Sequence, residues 1–355
     1  MKVCWITNIP SPYKVDFMNL LGREVELTVL FETHTEEGRD NSWYKEEYDN
    51  FKAVYVDGFD IGLLNRIAKE NDVMINSDYS KPLCILATEL FHMHGEKVLI
   101  QADGGLAVPR GLVDSVISFF MKRADGYLSS GKETNKYFGY YGVPENKCFT
   151  YPFTSLTESD LKNNREMRSD KEVYKAKLFS EPFVLLSVGQ PIPRKGYDVL
   201  VKAMEGLPTD IGLYIVGGKP EDSVKELASG NAHIHFVDFM SKSELAEYYA
   251  GADLFVLPTR YDIWGLVINE AMSFGLPFVS TDGCVAAMEM NNLYDNGIIC
   301  KIESVNELHD AILSLYNDRA MLESKGKASI EASKNYSLEK MVEGYMKAIN
   351  EICYH

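Results

Sequence analysis

Short apolar runs alternate with helix-like segments along this chain, and they do so in two series, on either side of one polar stretch. In the first series Val3 to Thr7, Glu26 to Phe31, Ala53 to Val56, Val73 to Asn76, Val98 to Gln101 and Gly126 to Ser129 read as strands. Helical apolar spacing lies between them, at Tyr13 to Leu21, Ile61 to Glu70, Lys81 to His92, Gly111 to Arg123 and Glu133 to Tyr141. In the second series the strand-like runs are Phe183 to Val188, Gly212 to Val216, Ile234 to Val237, Leu254 to Leu257 and Phe278 to Ser280. Strands covered by helices on both faces read as near-continuous apolar runs, so repeated βα units of this kind predict parallel sheets. The expected fold class is α/β, with two Rossmann-like doubly wound domains facing a cleft. Ligands in such folds sit at the carboxyl ends of the strands.

The stretch Ser155 to Lys177 is polar and charge-rich and reads as a linker with helical stretches. It sets the expected domains at 1–165 and 166–336. The tail 337–355 has helical spacing at Met341, Tyr345, Ile349 and Ile352. Between Glu32 and Asn50 the chain is polar, with Trp43, Tyr44 and Tyr48 interspersed, and reads as a surface excursion.

The carboxyl end of the run Leu254 to Leu257 leads into Pro258-Thr259-Arg260-Tyr261-Asp262-Ile263-Trp264-Gly265, followed by a short helix from about Leu266 to Phe274 and a stop at Gly275 and Pro277. Two carboxylates, Asp262 and Glu270, thus flank a strand-to-helix junction. Outward-pointing N–H groups at such a junction favour an anion. Both acids are expected to face one pocket above the strand ends.

Gly189-Gln190-Pro191-Ile192-Pro193-Arg194-Lys195-Gly196 follows another strand of the same series and precedes a helix. Two cations at a helix N-terminus oppose the helix dipole, which is a poor arrangement unless an anion sits there. A solvated charged turn is the alternative. Gly217 and Gly218 close the next strand and permit close backbone approach, or make an ordinary tight turn. Asp103-Gly104-Gly105 ends a strand of the first series, where the carboxylate either meets a substrate or forms a turn.

Absences narrow the chemistry. No GxGxxG follows a strand, no GxxxxGK[ST] is present and no DxD occurs. The pairs His92-x-His94 and His233-x-His235 lack a third ligand at recognisable spacing, so no metal is expected. A phosphate-bearing ligand would then be neutralised by Arg, Lys and helix N-termini. The formal net charge of −16 argues against a nucleic-acid partner. Six scattered cysteines without a CxxC pair read as reduced thiols. The start is too short for a signal peptide, and no apolar run is long enough to span a bilayer, so a cytoplasmic location is expected. Phe119, Phe120 and Met121 with Lys122, Arg123, Lys132 and Lys136 form either a helix with a core face and a solvated face or a lipid-facing patch at the inner face of a membrane.

Asp262-x7-Glu270 with Ala271-Met272-x-x-Gly275-x-Pro277 resembles the Glu-x7-Glu signature of retaining glycosyltransferases of family four. Gly189 to Gly196 resembles that family's Gly-Arg-x-x-x-x-Lys-Gly loop, and Val237-Asp238-Phe239 with Tyr248 to Asp253 matches the run preceding the signature. The resemblance is good from about Phe183 to Cys300 and weak in the first half. It implies a GT-B fold with a terminal helix that crosses back onto the first domain. It also implies a nucleotide-sugar donor, a glycan or lipid-linked acceptor, retention of configuration and no required metal or other cofactor. A UDP-sugar and a role in cell-surface polysaccharide synthesis are preferred.

By that resemblance Arg194 and Lys195 neutralise the diphosphate, and backbone near Ile263, Trp264, Gly265 and Leu266 meets the diphosphate and sugar. Asp262 holds sugar hydroxyls and Glu270 the ribose hydroxyls. The backbone of Val237 to Phe239 reads the base. Gly189, Gln190, Gly217 and Arg260 complete the donor side, and Tyr13 and Lys14 face the acceptor or diphosphate. Asp103 stands where the family often has a histidine near the reacting sugar. The chain departs from the pattern at Asp262, one methylene shorter than Glu, and at Gln190, in place of Arg. The alternatives are a nucleotide-sugar epimerase or phosphorylase on the same fold, or a non-catalytic nucleotide-sugar-binding subunit.

Overall fold

The computed structural model describes residues 1–33, 47–56, 58 and 60–354. Most of the polar excursion after Glu32, with Trp43 and Tyr44, lies outside the described residues. The chain forms two compact units, Met1–Ser155 with Leu338–His355, and Leu156–Ser337.

The first unit is a seven-stranded sheet of β1 (Lys2–Thr7), β2 (Glu26–Phe31), β3 (Phe51–Tyr55), β4 (Val73–Asn76), β5 (Lys97–Ala102), β6 (Gly126–Ser129) and β7 (Cys148–Thr150). Its order is β3-β2-β1-β4-β5-β6-β7, and every neighbouring pair is parallel. Its helices are α1 (Pro12–Leu21), α2 (Ile61–Glu70), α3 (Pro82–His94), α4 (Leu112–Met121) and α5 (Lys132–Tyr140). Proline opens α1 and α3, where its missing N–H costs nothing. The strand order reverses between β1 and β4, so the β1–α1 loop emerges at a switch point of the sheet. One strand of this sheet, β7, is absent from the sequence reading. It has three residues, none of them buried, so no apolar run marks it.

The second unit starts with α6 (Glu158–Ser169) and α7 (Lys171–Leu178). The expected linker is therefore part of this unit, and the division falls at Leu156 instead of after residue 165. Polar contacts hold these helices. Arg168 Nη1 donates to the carbonyls of Ala250 at 2.7 Å and Ala252 at 2.6 Å, and Lys175 Nζ reaches Asp253 Oδ2 at 2.6 Å. A six-stranded parallel sheet follows, built from β8 (Phe183–Val188), β9 (Ile211–Val216), β10 (Ile234–Val237), β11 (Leu254–Leu257), β12 (Phe278–Thr281) and β13 (Gly297–Cys300). Its order is β10-β9-β8-β11-β12-β13. The remaining helices are α8 (Tyr197–Ala203), α9 (Asp222–Ala228), α10 (Lys242–Gly251), α11 (Leu266–Ser273), α12 (Val285–Tyr294), α13 (Val305–Asn317) and α14 (Arg319–Ser333). All six residues of β8 and all four of β11 are buried. Each such large apolar side chain contributes about 1.5–3 kcal/mol on burial, which makes the centre of this sheet a stiff platform. Here too the order reverses, between β8 and β11, so the loops after these two strands leave the sheet side by side.

The last helix, α15 (Leu338–Tyr354), belongs to the first unit. Leu338, Met341, Val342, Tyr345, Ala348 and Ile349 form its buried stripe. Tyr345 packs edge-on against Phe17 and Tyr151, each at 4.8 Å between ring centroids. Such pairs add about 0.5–1.5 kcal/mol beyond the area they bury.

Candidate functional site

The loops after β8 and β11 are stitched together by their backbones. Arg260 N donates to Arg194 O at 2.8 Å, and Thr259 Oγ1 donates to the same carbonyl at 3.1 Å. Gly196 makes this approach possible. It has φ of 70°, and a Cβ there would lie 2.1 Å from Pro258 O. Residues Pro193–Lys195 form one tight turn before Gly196, which aims the Lys195 side chain inward.

That inward side chain meets Asp262. Lys195 Nζ lies 2.6 Å from Asp262 Oδ2, and Arg194 Nη1 lies 3.4 Å from the same oxygen. Lys195 is only 9% exposed, so its charge is largely removed from water. The Asp262 backbone is fixed in turn: its N–H donates to Gly283 O at 2.8 Å, and its carbonyl accepts from Val285 N at 3.2 Å. Arg194 also donates to Tyr261 O at 2.7 Å. Beyond this loop Trp264 is buried, its Nε1 donating to Asn269 Oδ1 at 2.9 Å. Gly265, with φ of 105°, caps α11, whose first N–H groups have no acceptor within the helix. Ile263 is 46% exposed beside them, and Leu266 is half-buried at the first position of the helix.

Glu270 looks onto a different partner. Its Oε2 accepts from Tyr249 OH at 2.9 Å. Burial raises its carboxyl above the usual range, and the Tyr249 hydrogen bond opposes that rise. Tyr249 was not singled out for a role in the sequence, although it stands in the run before the signature. Gly189 N donates to Val216 O at 2.9 Å, while Gln190 is exposed. Gly217 N and Gly218 N donate to Val237 O at 3.1 and 3.2 Å, so that carbonyl is already occupied. The side chain of Phe239 is 77% exposed.

Arg260, expected on the donor side, has partners of its own within the protein. It forms a bidentate pair with Asp198, at 2.9 and 2.8 Å, and also engages Glu303 and Pro193 O. These partners hold it charged and raise its pKa further. It straps the loop after β11 to α8.

In the first unit, Lys14 Nζ donates to Thr7 Oγ1 at 3.0 Å and Asn8 Oδ1 at 2.9 Å, at the carboxyl end of β1. Tyr13 packs edge-on against Phe153. Asp103 Oδ1 accepts from Tyr151 OH at 3.1 Å and from Gln101 Nε2. Burial raises the Asp103 carboxyl, and the Lys14 ammonium pulls it down. Lys14 and Asp103 therefore feel each other's charge across the switch point of this sheet.

The histidine pairs have local partners. His233, just before β10, and His235, on it, both reach Glu181 Oε1, at 3.2 and 3.0 Å. His92 meets Asp125 at 3.3 Å and His94 meets Asn65 at 2.9 Å. Among the described residues no group of three His, Cys, Asp or Glu could hold a metal ion. All six cysteines are free thiols.

Residues 169–334 match the family described as glycosyl transferases group 1, which is nearly the whole second unit. Across the full chain the fold is that of HepE from Anabaena, solved with UDP and glucose, at a TM-score of 0.74 and 15% identity over 99% of both chains. The chain resembles the GT-B glycosyltransferases. An uncharacterised glycosyltransferase of Haemophilus influenzae is 29% identical over 45% of this chain and 46% of its own length. The lipopolysaccharide glucosyltransferase WaaG of Escherichia coli is 27% identical over 43% of each. The chain thus spans about half the length of these curated relatives. The Lys195–Asp262 loops and α11 occupy the switch point of the matched unit. Among the described residues no helix is long and apolar enough to cross a membrane.

Proposed function

We propose that this chain is a retaining glycosyltransferase. It moves a sugar from a nucleoside diphosphate to a glycan or lipid-linked acceptor, with no required metal, in the synthesis of a cell-surface polysaccharide or glycolipid. A UDP-sugar is the preferred donor. One observation carries the reading: Lys195 and Arg194 converge on one oxygen of Asp262, in the loop that leads into α11, at the switch point of the second sheet. HepE, of the same fold, was solved with UDP and glucose, which supports a nucleotide-sugar donor.

The chemistry is a substitution at the anomeric carbon. The bond from that carbon to the diphosphate oxygen breaks, and a bond to the acceptor oxygen forms on the same face. The acceptor's proton passes to the leaving phosphate oxygen, so no strong protein base is needed. Negative charge grows on the diphosphate as the bond breaks. Two fixed cations and the α11 amides aimed at it stabilise that growing charge more than the ground state, which lowers the barrier. Glu270, held by Tyr249, accepts from the ribose hydroxyls. Asp262 orients Lys195 and receives sugar hydroxyls. Val237 to Phe239 flank the base. In the first unit Tyr13, Lys14 and Asp103 are the acceptor-side groups.

A thermal-shift screen against UDP-, GDP-, ADP- and CMP-sugars tests the reading, because a ligand of the folded state raises its melting point. A UDP-sugar is expected to give the largest rise, and release of UDP on adding an acceptor follows. If no nucleotide sugar shifts the melting point, the donor site is misassigned.

A further inference from the structure

A polar chain crosses the first sheet near the carboxyl ends of its strands, and chemistry fixes its direction. Trp5 on β1 is buried, and its Nε1 donates to Ser77 Oγ, just past β4, at 2.7 Å. An indole N–H donates and accepts nothing. The Ser77 hydroxyl is left to send its own proton onward, and it donates to Gln101 Oε1 on β5 at 2.8 Å. That contact settles which way the buried Gln101 amide faces. Its Nε2 donates to Tyr151 OH at 2.9 Å and to Asp103 Oδ1. The Tyr151 oxygen already accepts from Gln101, so its proton is shared between the Ala102 carbonyl and Asp103 Oδ1, each 3.1 Å away. Every donor in the chain runs toward Asp103.

The two oxygens of Asp103 are in different states. Oδ1 takes both donors, while Oδ2 has no hydrogen bond among the described residues, on a residue that is only half-buried. Among those residues no backbone N–H donates to this carboxylate, so it does not cap a turn. Burial raises the carboxyl, and Lys14 on α1, Tyr151 and Gln101 pull it down. Tyr151 and Tyr345 are the other titratable groups that feel its charge, and burial keeps both phenols protonated. The Tyr345 ring on α15 touches both ends of the chain, 5.5 Å from the Trp5 ring and 4.8 Å from that of Tyr151. A satisfied buried network of this kind rigidifies the group it ends on.

We infer that Gln101 and Tyr151 are positioning residues for sugar transfer: they hold Asp103 as a carboxylate through Oδ1, so that Oδ2 is fixed to receive a hydroxyl of the acceptor. This role rests on the function proposed above and adds to it on the acceptor side. Asp103 orients that hydroxyl and takes no proton from it, because the leaving phosphate does.

Tyr151→Phe and Ser77→Ala test it, since each deletes a single hydroxyl. Carbon-13 NMR titration of the carboxyl groups, with Asp103 assigned through Asp103→Asn, reads the chain without any substrate. The Asp103 carboxyl is expected to titrate at higher pH in both variants. The first loses a donor to Oδ1, and the second frees the Gln101 amide to turn its oxygen toward the carboxylate. In acceptor-dependent transfer, kcat/KM for the acceptor should fall at least about tenfold, as for loss of a hydrogen bond to a charged group, with its acid limb moved to higher pH. Calorimetric affinity for UDP should match the parent. An Asp103 titration unchanged in both folded variants overturns the inference. So does a loss of UDP affinity as large as the loss with acceptor, which marks general damage to the fold. Parent protein that neither binds UDP nor transfers sugar sinks the function proposed above and the acceptor hydroxyl with it, while the titration still decides whether the chain holds Asp103.

Discussion

Lys195 Nζ sits 2.6 Å from Asp262 Oδ2, across two loops that leave neighbouring strands of one sheet. Both side chains are nearly nine-tenths shielded from water. Removing the acid leaves a largely buried ammonium with less compensation, and for buried pairs that costs about 3–5 kcal/mol, less where water still reaches. Asp262→Ala is therefore expected to lose about 2–3 kcal/mol in urea unfolding. UDP should stabilise the variant more than the parent, because its diphosphate supplies the missing anion. Equal stabilisation of both proteins by UDP would mean that Lys195 does not meet phosphate.

Lys195→Ala removes the cation and keeps the loop. If that cation meets the leaving diphosphate, the transfer rate should fall about 10²–10³-fold, the range seen when one preorganised transition-state donor is lost. Steady-state assays with circular dichroism as a folding control decide this. Unchanged turnover in folded protein would remove Lys195 from the site.

The Tyr249–Glu270 contact predicts a pH effect with a definite sign. Burial raises the Glu270 carboxyl, so the folded protein holds this proton more tightly than the unfolded chain. Its ionisation therefore lowers stability as pH rises from the ordinary carboxylate range to the raised folded value. Glu270→Gln should gain stability relative to the parent across that window and hold the difference above it. Tyr249→Phe deletes the hydrogen bond that favours the carboxylate and pushes the Glu270 pKa higher. The acid limb of kcat/KM against pH should move upward in that variant.

Gly196→Ala tests the stitching of the loops. A Cβ would meet Pro258 O, and the residue must keep φ of 70°. The loops should separate, with a loss of at least about 2 kcal/mol in stability and a parallel loss of donor affinity, measured by urea unfolding and calorimetry. The same change at Gly230, which has open space around it, is the control.

The parallel sheets were legible because strands such as Phe183–Val188 are buried on both faces and carry an apolar run broken only by Ser187. The stretch Ser155 to Lys177 reads as a linker for the opposite reason. Its helices are held by Arg168, Lys171 and Lys175 on polar partners and bury only Leu161. A capping box at Thr157 and Asp160 was the available signal of a helix start. At the site, the residue types and loops were readable, but partnership was not. Arg260 stands in the right loop, yet Asp198 and Glu303, which engage it, lie 62 and 43 residues away. The spacing of Asp262 and Glu270 suggested one shared pocket. Their partners, Lys195 and Tyr249, are a choice that packing makes and sequence spacing does not record.

The most direct measurement is calorimetric binding of UDP to the parent and to Lys195→Ala. Binding by the parent, weakened at least about tenfold in the variant, is predicted, since a charge-assisted contact to phosphate contributes about 1.5–3 kcal/mol. Equal affinity in the two proteins, or no binding by the parent, would contradict the assignment of the β8 and β11 loops as a diphosphate site.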